Sequence, residues 1–129
     1  MKLEIGMYVR TKNGCICQIL RTTYSKYLSR NKELCYEVDR PINVNMELYD
    51  EDILKASYNI IDLIEVGDYV NGDLVLFAGV TIWDNDGNVL DKQVHINHNG
   101  YDLWLREEYI KSIVTKEQFE SMSYKVERG

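Results

Sequence analysis

The stretch Leu3-Glu4-Ile5-Gly6-Met7-Tyr8-Val9 returns as Ile64-Glu65-Val66-Gly67-Asp68-Tyr69-Val70. Glu, Gly, Tyr and Val keep their places, and the other apolar positions are exchanged conservatively. A second echo pairs Glu51-Asp52-Ile53-Leu54-Lys55-Ala56-Ser57 with Glu107-Glu108-Tyr109-Ile110-Lys111-Ser112-Ile113. Self-similarity at a spacing of about 60 residues marks two copies of one supersecondary unit. The chain is therefore expected to divide into residues 1–59 and 60–129, the second part carrying a C-terminal helix. A domain of about 60 residues buries only about 60% of its unfolded surface. The halves should then share an interface within one compact domain, or the chain should form a homo-oligomer.

Turn signals divide each half into short strands. Ile5 to Thr11 alternates apolar and polar residues, as a half-buried strand does. Asn13-Gly14 predicts a type I′ hairpin, because both turn positions need positive φ, and Cys15 to Leu20 forms the returning strand. Residues Arg21 to Asn31 are polar and aperiodic, which predicts a loop. Leu34 to Val38 is a strand ended by Asp39-Arg40-Pro41, since Pro cannot donate to a ladder. Ile42 to Met46 is expected to add a short strand, and the turn Asp50-Glu51-Asp52 leads into a closing strand, Ile53 to Ala56.

The second half repeats the plan. Asn71-Gly72 follows Tyr69-Val70, Leu74 to Val80 is an apolar strand, and Asp84-Asn85-Asp86-Gly87-Asn88 is a hairpin tip. Val89 to Ile96 and Tyr101 to Leu105 are strands separated by Asn97-His98-Asn99-Gly100. The turn Glu107-Glu108-Tyr109 precedes the strand Ile110 to Val114. Thr115 N-caps a helix over Lys116 to Met122, with Gln118 completing a capping box. Tyr124 to Val126 is expected to add an edge strand. Many short strands with regular turns point to small barrels. The expected fold is mainly β: two tandem SH3-like half-barrels related by internal duplication, with a short C-terminal helix.

Residues Ile61 to Gly72 resemble a segment common in small proteins of phages and prophages of low-GC Gram-positive bacteria. Ile110 to Glu120 is similar to the way such proteins end. Some phage proteins of this size block host defences, so the resemblance implies a counter-defence role in the host bacterial cytoplasm. The middle, Arg21 to Tyr49, carries no such likeness.

Charge and motifs narrow the chemistry. The formal net charge of −6 argues against non-specific binding to phosphate backbones, which needs a basic face. No apolar run is long enough to span a membrane, and three cysteines without a leader suggest a reducing cytoplasm. The Asp84 tip lacks the Gly and Glu that a helix–loop–helix calcium site requires at loop positions 6 and 12, where Val89 and His95 stand. Cys15-Ile16-Cys17 departs from the ligand spacing of zinc sites, and with Cys35 these thiols read as small buried hydrophobes. His95 and His98 have no nucleophile pattern beside them. The reading is therefore of a non-enzyme with no metal and no cofactor.

The candidate binding surface lies in the second half. Phe77, Trp83, Tyr101 and Trp104 can stack a base, Asn85, Asn88 and Asn99 can read its polar edge, and Arg106 can pair with a phosphate. Core and cross-strand packing is the competing role for these aromatics. Arg21, Lys26, Arg30 and Lys32 form a second, basic set in the first half. The expected function is sequestration of a small (cyclic) nucleotide immune signal. The alternatives are an anti-CRISPR-like inhibitor whose acidic face occupies a basic nucleic-acid channel, and an SH3-like module that binds a host defence protein.

Overall fold

In the computed structural model, which describes residues 3–26, 33–40, 47–122 and 126, the echoed segment folds the same way twice. Glu4-Ile5-Gly6-Met7 closes a turn through Met7 N–H to the Glu4 carbonyl (3.2 Å), and Glu65-Val66-Gly67-Asp68 does so through Asp68 N–H to Glu65 (3.1 Å). Gly6 and Gly67 sit at φ of +92° and +96°, a region that side chains with a Cβ avoid. Each glycine then donates to the next long strand, Gly6 to the Ile19 carbonyl and Gly67 to that of Val75. Each also stands beside a returning bond, Ile19 N–H to Met7 and Val75 N–H to Asp68. The sequence alternation from Ile5 therefore becomes strand only at Tyr8, because the preceding residues are held in this turn.

The chain divides into two units, Met1–Leu63 and Ile64–Gly129. Among the described residues the first contains β1 (Tyr8–Thr11), β2 (Ile16–Tyr24), β3 (Leu34–Val38), β4 (Glu47–Leu48) and β5 (Ile53–Ser57), all antiparallel, in the order β4-β3-β2-β1-β5. The second contains β6 (Tyr69–Val70), β7 (Asp73–Trp83), β8 (Val89–His98), β9 (Tyr101–Arg106) and β10 (Ile113–Val114), in the order β10-β6-β7-β8-β9. In both units the fifth strand returns beside the first, after a 3₁₀ turn at Asp50–Asp52 or Glu107–Tyr109. The helix α1 (Lys116–Met122) follows.

Register corrects the second echo by one residue. Ser57 pairs with Tyr8 and Ala56 with Val9, while Val114 pairs with Tyr69 and Ile113 with Val70. Ile53 and Ile110 each donate back into their 3₁₀ turn, to Asp50 and Glu107. Asp50, not Glu51, therefore stands where Glu107 does, and only Ile113–Val114 of the expected Ile110 to Val114 strand is paired.

Other expectations also shift. Arg21 to Tyr24 belongs to β2 and not to a loop: Thr22, Thr23 and Tyr24 pair with Tyr36, Cys35 and Leu34. Such β-branched and aromatic residues suit a pleated surface, and a bulge between Ile19 and Arg21 hides the alternation. At Asn13-Gly14 only the glycine has positive φ (+90°), so the turn is not type I′. Asn71-Gly72 (φ +52° and +85°) and Asn99-Gly100 (+51° and +86°) do have the type I′ signs at both positions. The expected strand at Ile42 to Met46 lies outside the described residues, as do Arg30, Lys32, Tyr124 and Lys125; Val126 is in no element.

The first unit closes on an apolar cluster of Val9, Cys17, Ile19, Tyr36, Val38, Leu48 and Ile53. Beside it the buried Glu47 accepts hydrogen bonds from Ser25 Oγ (3.0 Å), Lys26 N–H (2.7 Å) and Tyr49 Oη (2.7 Å). Burial pushes the Glu47 pKa up, but these three donors outweigh it and hold the carboxyl below its ordinary value. In the second unit the capping box forms as expected, with Gln118 N–H to Thr115 Oγ1 (3.2 Å) and Thr115 N–H to Gln118 Oε1 (3.1 Å). Buried Asp68 takes Lys116 N–H (2.9 Å), and Phe119 stacks on Tyr69 (4.6 Å), fixing α1 against β6.

Candidate functional site: an aromatic face on the second sheet

Two features of the sequence set the site. The two-residue turn Asn99-Gly100 fixes the pairing of β8 with β9, so that His98 faces Tyr101, His95 faces Trp104 and Gln93 faces Arg106. In β7 the register slips between Val75 and Phe77, and again before Val80, near Gly79 (φ +72°). Simple alternation would put Phe77 on the same face as Val75. The bulge instead sets Phe77 opposite His95.

Three rings therefore line up across three strands. Phe77 and His95 stack at 5.4 Å between centroids and 3° between planes, and His95 and Trp104 at 4.4 Å and 9°. His95 is only 7% exposed, whereas Phe77 is 58% and Trp104 52% exposed. The histidine is sealed between two rings that themselves face solvent. Its two ring nitrogens are buried and have no hydrogen-bond partner among the described residues. Asp102 Oδ1 lies 3.3 Å from Nε2, within reach of an ion pair but not aligned as a hydrogen bond. The opposite face of the sheet holds the buried Val75, Val94 and Ile96.

Charge surrounds the row. Arg106 Nε contacts Asp91 Oδ2 at 2.9 Å, and its Nη1 is 4.0 Å from Glu108 Oε1. Gln93 Nε2 donates to the same Asp91 oxygen at 3.0 Å. At the Asn99-Gly100 end, His98 Nδ1 and Asp73 Oδ2 are 2.8 Å apart. The aromatic row thus lies among Asp91, Asp102 and Glu108, with Arg106 set between two of these carboxylates.

Of the eight residues singled out in the sequence, the structure brings Phe77, Trp104 and Arg106 together beside His95. Trp83 ends β7 beside the hairpin tip, opposite Val89, and Asn85 and Asn88 are exposed in the tip. There Asp84 Oδ1 accepts the Asp86 and Asn88 N–H groups (2.9 and 2.8 Å), and these bonds hold its carboxyl below the ordinary pKa. Asn99 is a turn residue at the other end of β8, and Tyr101 points to the face opposite Trp104. Nine steps of strand separate Val89 from His98, about 30 Å at roughly 3.3 Å per residue. The two asparagine groups therefore cannot line one small pocket. His95 is the member that sequence reasoning placed elsewhere, although the Asn99-Gly100 turn already sets it opposite Trp104.

Comparisons of the chain with protein-family models, with curated proteins and with solved structures find no match.

The remaining candidates are placed as follows. Cys17 and Cys35 are buried and Cys15 is partly so. Burial pushes the Cys17 thiol up to about 12 and raises that of Cys35, which favours the neutral thiol over a reactive thiolate. Arg21 is exposed on β2 and pairs with Glu37. Among the described residues no helix is long and apolar enough to cross a membrane.

Proposed function

We propose that the chain is a non-catalytic binding protein made of two copies of one SH3-like module, and that it recognises a protein partner through the aromatic face of β7, β8 and β9. The module reading is supported by the shared strand order, the 3₁₀ turn before each returning strand and the matching bonds at Gly6 and Gly67. The observation that carries the binding reading is the Phe77–His95–Trp104 row, whose two outer rings are more than half exposed. Exposed apolar surface framed by polar groups marks interaction sites, and tryptophan is enriched among the residues that dominate binding energy.

The carboxylates around the row select the partner's chemistry. A surface that offers an apolar or planar group amid Lys and Arg side chains complements Asp91, Asp102 and Glu108. The resemblance to phage proteins supplies the setting, a host defence protein, and a basic nucleic-acid channel has the required charge. A small nucleotide is the second reading, favoured by one observation: Trp104 and Arg106 share a face two residues apart, a stacking platform beside a guanidinium. Against it, a phosphate would have to compete with Asp91 and Glu108 for Arg106.

Calorimetric titration of wild type and Trp104→Ala separates these readings, using short peptides of alternating Arg and Leu, a control set with Glu for Arg, and cyclic dinucleotides. The proposal expects the Arg peptides alone to bind, more weakly at high salt, and the variant to lose at least about tenfold in affinity. Binding of the cyclic dinucleotides alone would replace the proposal by the second reading. Equal binding of Arg and Glu peptides, or of wild type and variant, would overturn the assignment of the face.

A further inference from the structure

We infer that β9 is a self-pairing edge, and that two copies of the chain join through it into one continuous antiparallel sheet. β9 is last in its sheet, and among the described residues no backbone hydrogen bond joins it to a strand other than β8. It is also apolar, with Tyr101, Leu103, Trp104 and Leu105 in six residues, and Tyr101 and Trp104 are more than half exposed. An exposed apolar edge of this length is a template for another strand. It has no Lys, no Pro and no bulge, and the two charges it does carry, Asp102 and Arg106, are of opposite sign.

The occupant follows from the sequence of the edge. A two-fold axis perpendicular to the sheet keeps each face continuous, so residues on one face must meet residues on the same face. With Trp104 on the axis, it meets Trp104 of the second copy. Leu103 then meets Leu105, and Asp102 meets Arg106, each twice by symmetry. Every position from 102 to 106 finds a partner of matching chemistry: an aromatic pair, two aliphatic pairs and two opposite-charge pairs, all favourable when directly opposed. Shifting the register by two residues places Asp102 opposite Trp104 and leaves Arg106 beyond the pairing. Arg106 can serve both neighbours, since Nε contacts Asp91 while the guanidinium has further donors at Nη. If the binding face proposed above is correct, this pairing doubles it, running Phe77, His95 and Trp104 into their symmetry mates as one row of six rings.

Charge reversal tests the register. Asp102→Arg puts Arg against Arg106 twice, and Arg106→Asp puts Asp against Asp102 twice; the double exchange restores both pairs. Sedimentation equilibrium should show a wild-type dimer, self-association weakened at least about tenfold in each single variant, and recovery in the double variant. Circular dichroism checks that each variant is folded. In wild type alone, amides of residues 101–106 should exchange more slowly as concentration rises, which keeps the inference testable if a variant fails to fold. A monomeric wild type at high concentration, single variants that dimerise like wild type, a double variant that does not recover, or protection outside residues 101–106 would each overturn it. Peptide binding can fail while the dimer persists, so the two proposals stand or fall separately.

Discussion

The two units share a strand order but differ in which rings they bury, although the first also leaves Tyr24 and Tyr58 more than half exposed. In the first, Tyr36 and Tyr49 are buried with Val9, Ile19, Val38 and Leu48, and even the carboxylate of Glu47 is enclosed with its donors. In the second, Phe77, Trp83, Tyr101 and Trp104 are all more than half exposed, and apart from His95 the large buried side chains are aliphatic: Ile64, Val70, Val75, Val94 and Ile96. A strand plan supported by the same Gly-centred turn can therefore be filled inward or left open. Fold alone does not decide what such a module does; the side chains placed on it do. The interior of the first unit reads as scaffold, and the face of the second is the surface we propose to meet a partner.

That contrast can be broken most readily in the first core. Ile19 and Val75 hold corresponding places beside the turn glycines, and both are buried. Ile19→Ala should cost about 2–5 kcal/mol, and Val75→Ala less, because fewer methyl groups leave a smaller core. Urea titrations measure both; a larger loss at Val75 would reverse the assignment of scaffold and surface. Gly6→Ala and Gly67→Ala sharpen the other side of the comparison. Each forces a Cβ into a positive-φ turn, and neither meets a hard obstacle, the nearest contacts being side-chain atoms of Tyr58 at 4.0 Å and Lys116 at 3.6 Å. Each should cost about 1–2 kcal/mol. Values that differ by more than this range would show the two turns to be unequal.

Glu47 gives a smaller effect, confined to acid pH. Its folded pKa lies below the ordinary value, so its contribution to stability is full above the unfolded value of about 4.3. It is lost as pH falls through the lower folded value. Glu47→Gln should be less stable than wild type at pH 7, and the two should converge at low pH. Parallel curves would remove the carboxylate from the account. Arg106→Ala should change the stability of the single chain least, since its ion pairs with Asp91 and Glu108 are exposed and worth about 0–1 kcal/mol; a melting temperature well below that of wild type at protein concentrations too low for self-association would give Arg106 a structural role within the unit.

Much of this architecture was legible in the chain. The echoed Glu-x-Gly-x-Tyr-Val segments announced two similar units, although their first residues form a turn where alternation predicted strand, and Asn71-Gly72 and Asn99-Gly100 each made the hairpin their dipeptide favours. Thr115 and Gln118 made their capping box. The phase of the second echo was not legible, because Glu51 and Glu107 align by letter while backbone pairing aligns Asp50 with Glu107. Nor was β4, two residues long, whose Glu47 is held by Ser25 and Lys26 from far along the chain. The site was half legible: the Asn99-Gly100 turn fixes His95 against Trp104, but the slip in β7 that brings Phe77 to them follows from backbone geometry that residue alternation does not carry.

The separation of scaffold from surface is tested most directly by mapping a bound ligand on both units at once. Isotope-labelled protein titrated with the alternating Arg and Leu peptide should show amide and indole shifts concentrated on Phe77, His95, Trp104 and their neighbours in β7, β8 and β9, with β1 to β5 unmoved. Shifts centred on the first unit, or no shift at any residue, would contradict the account.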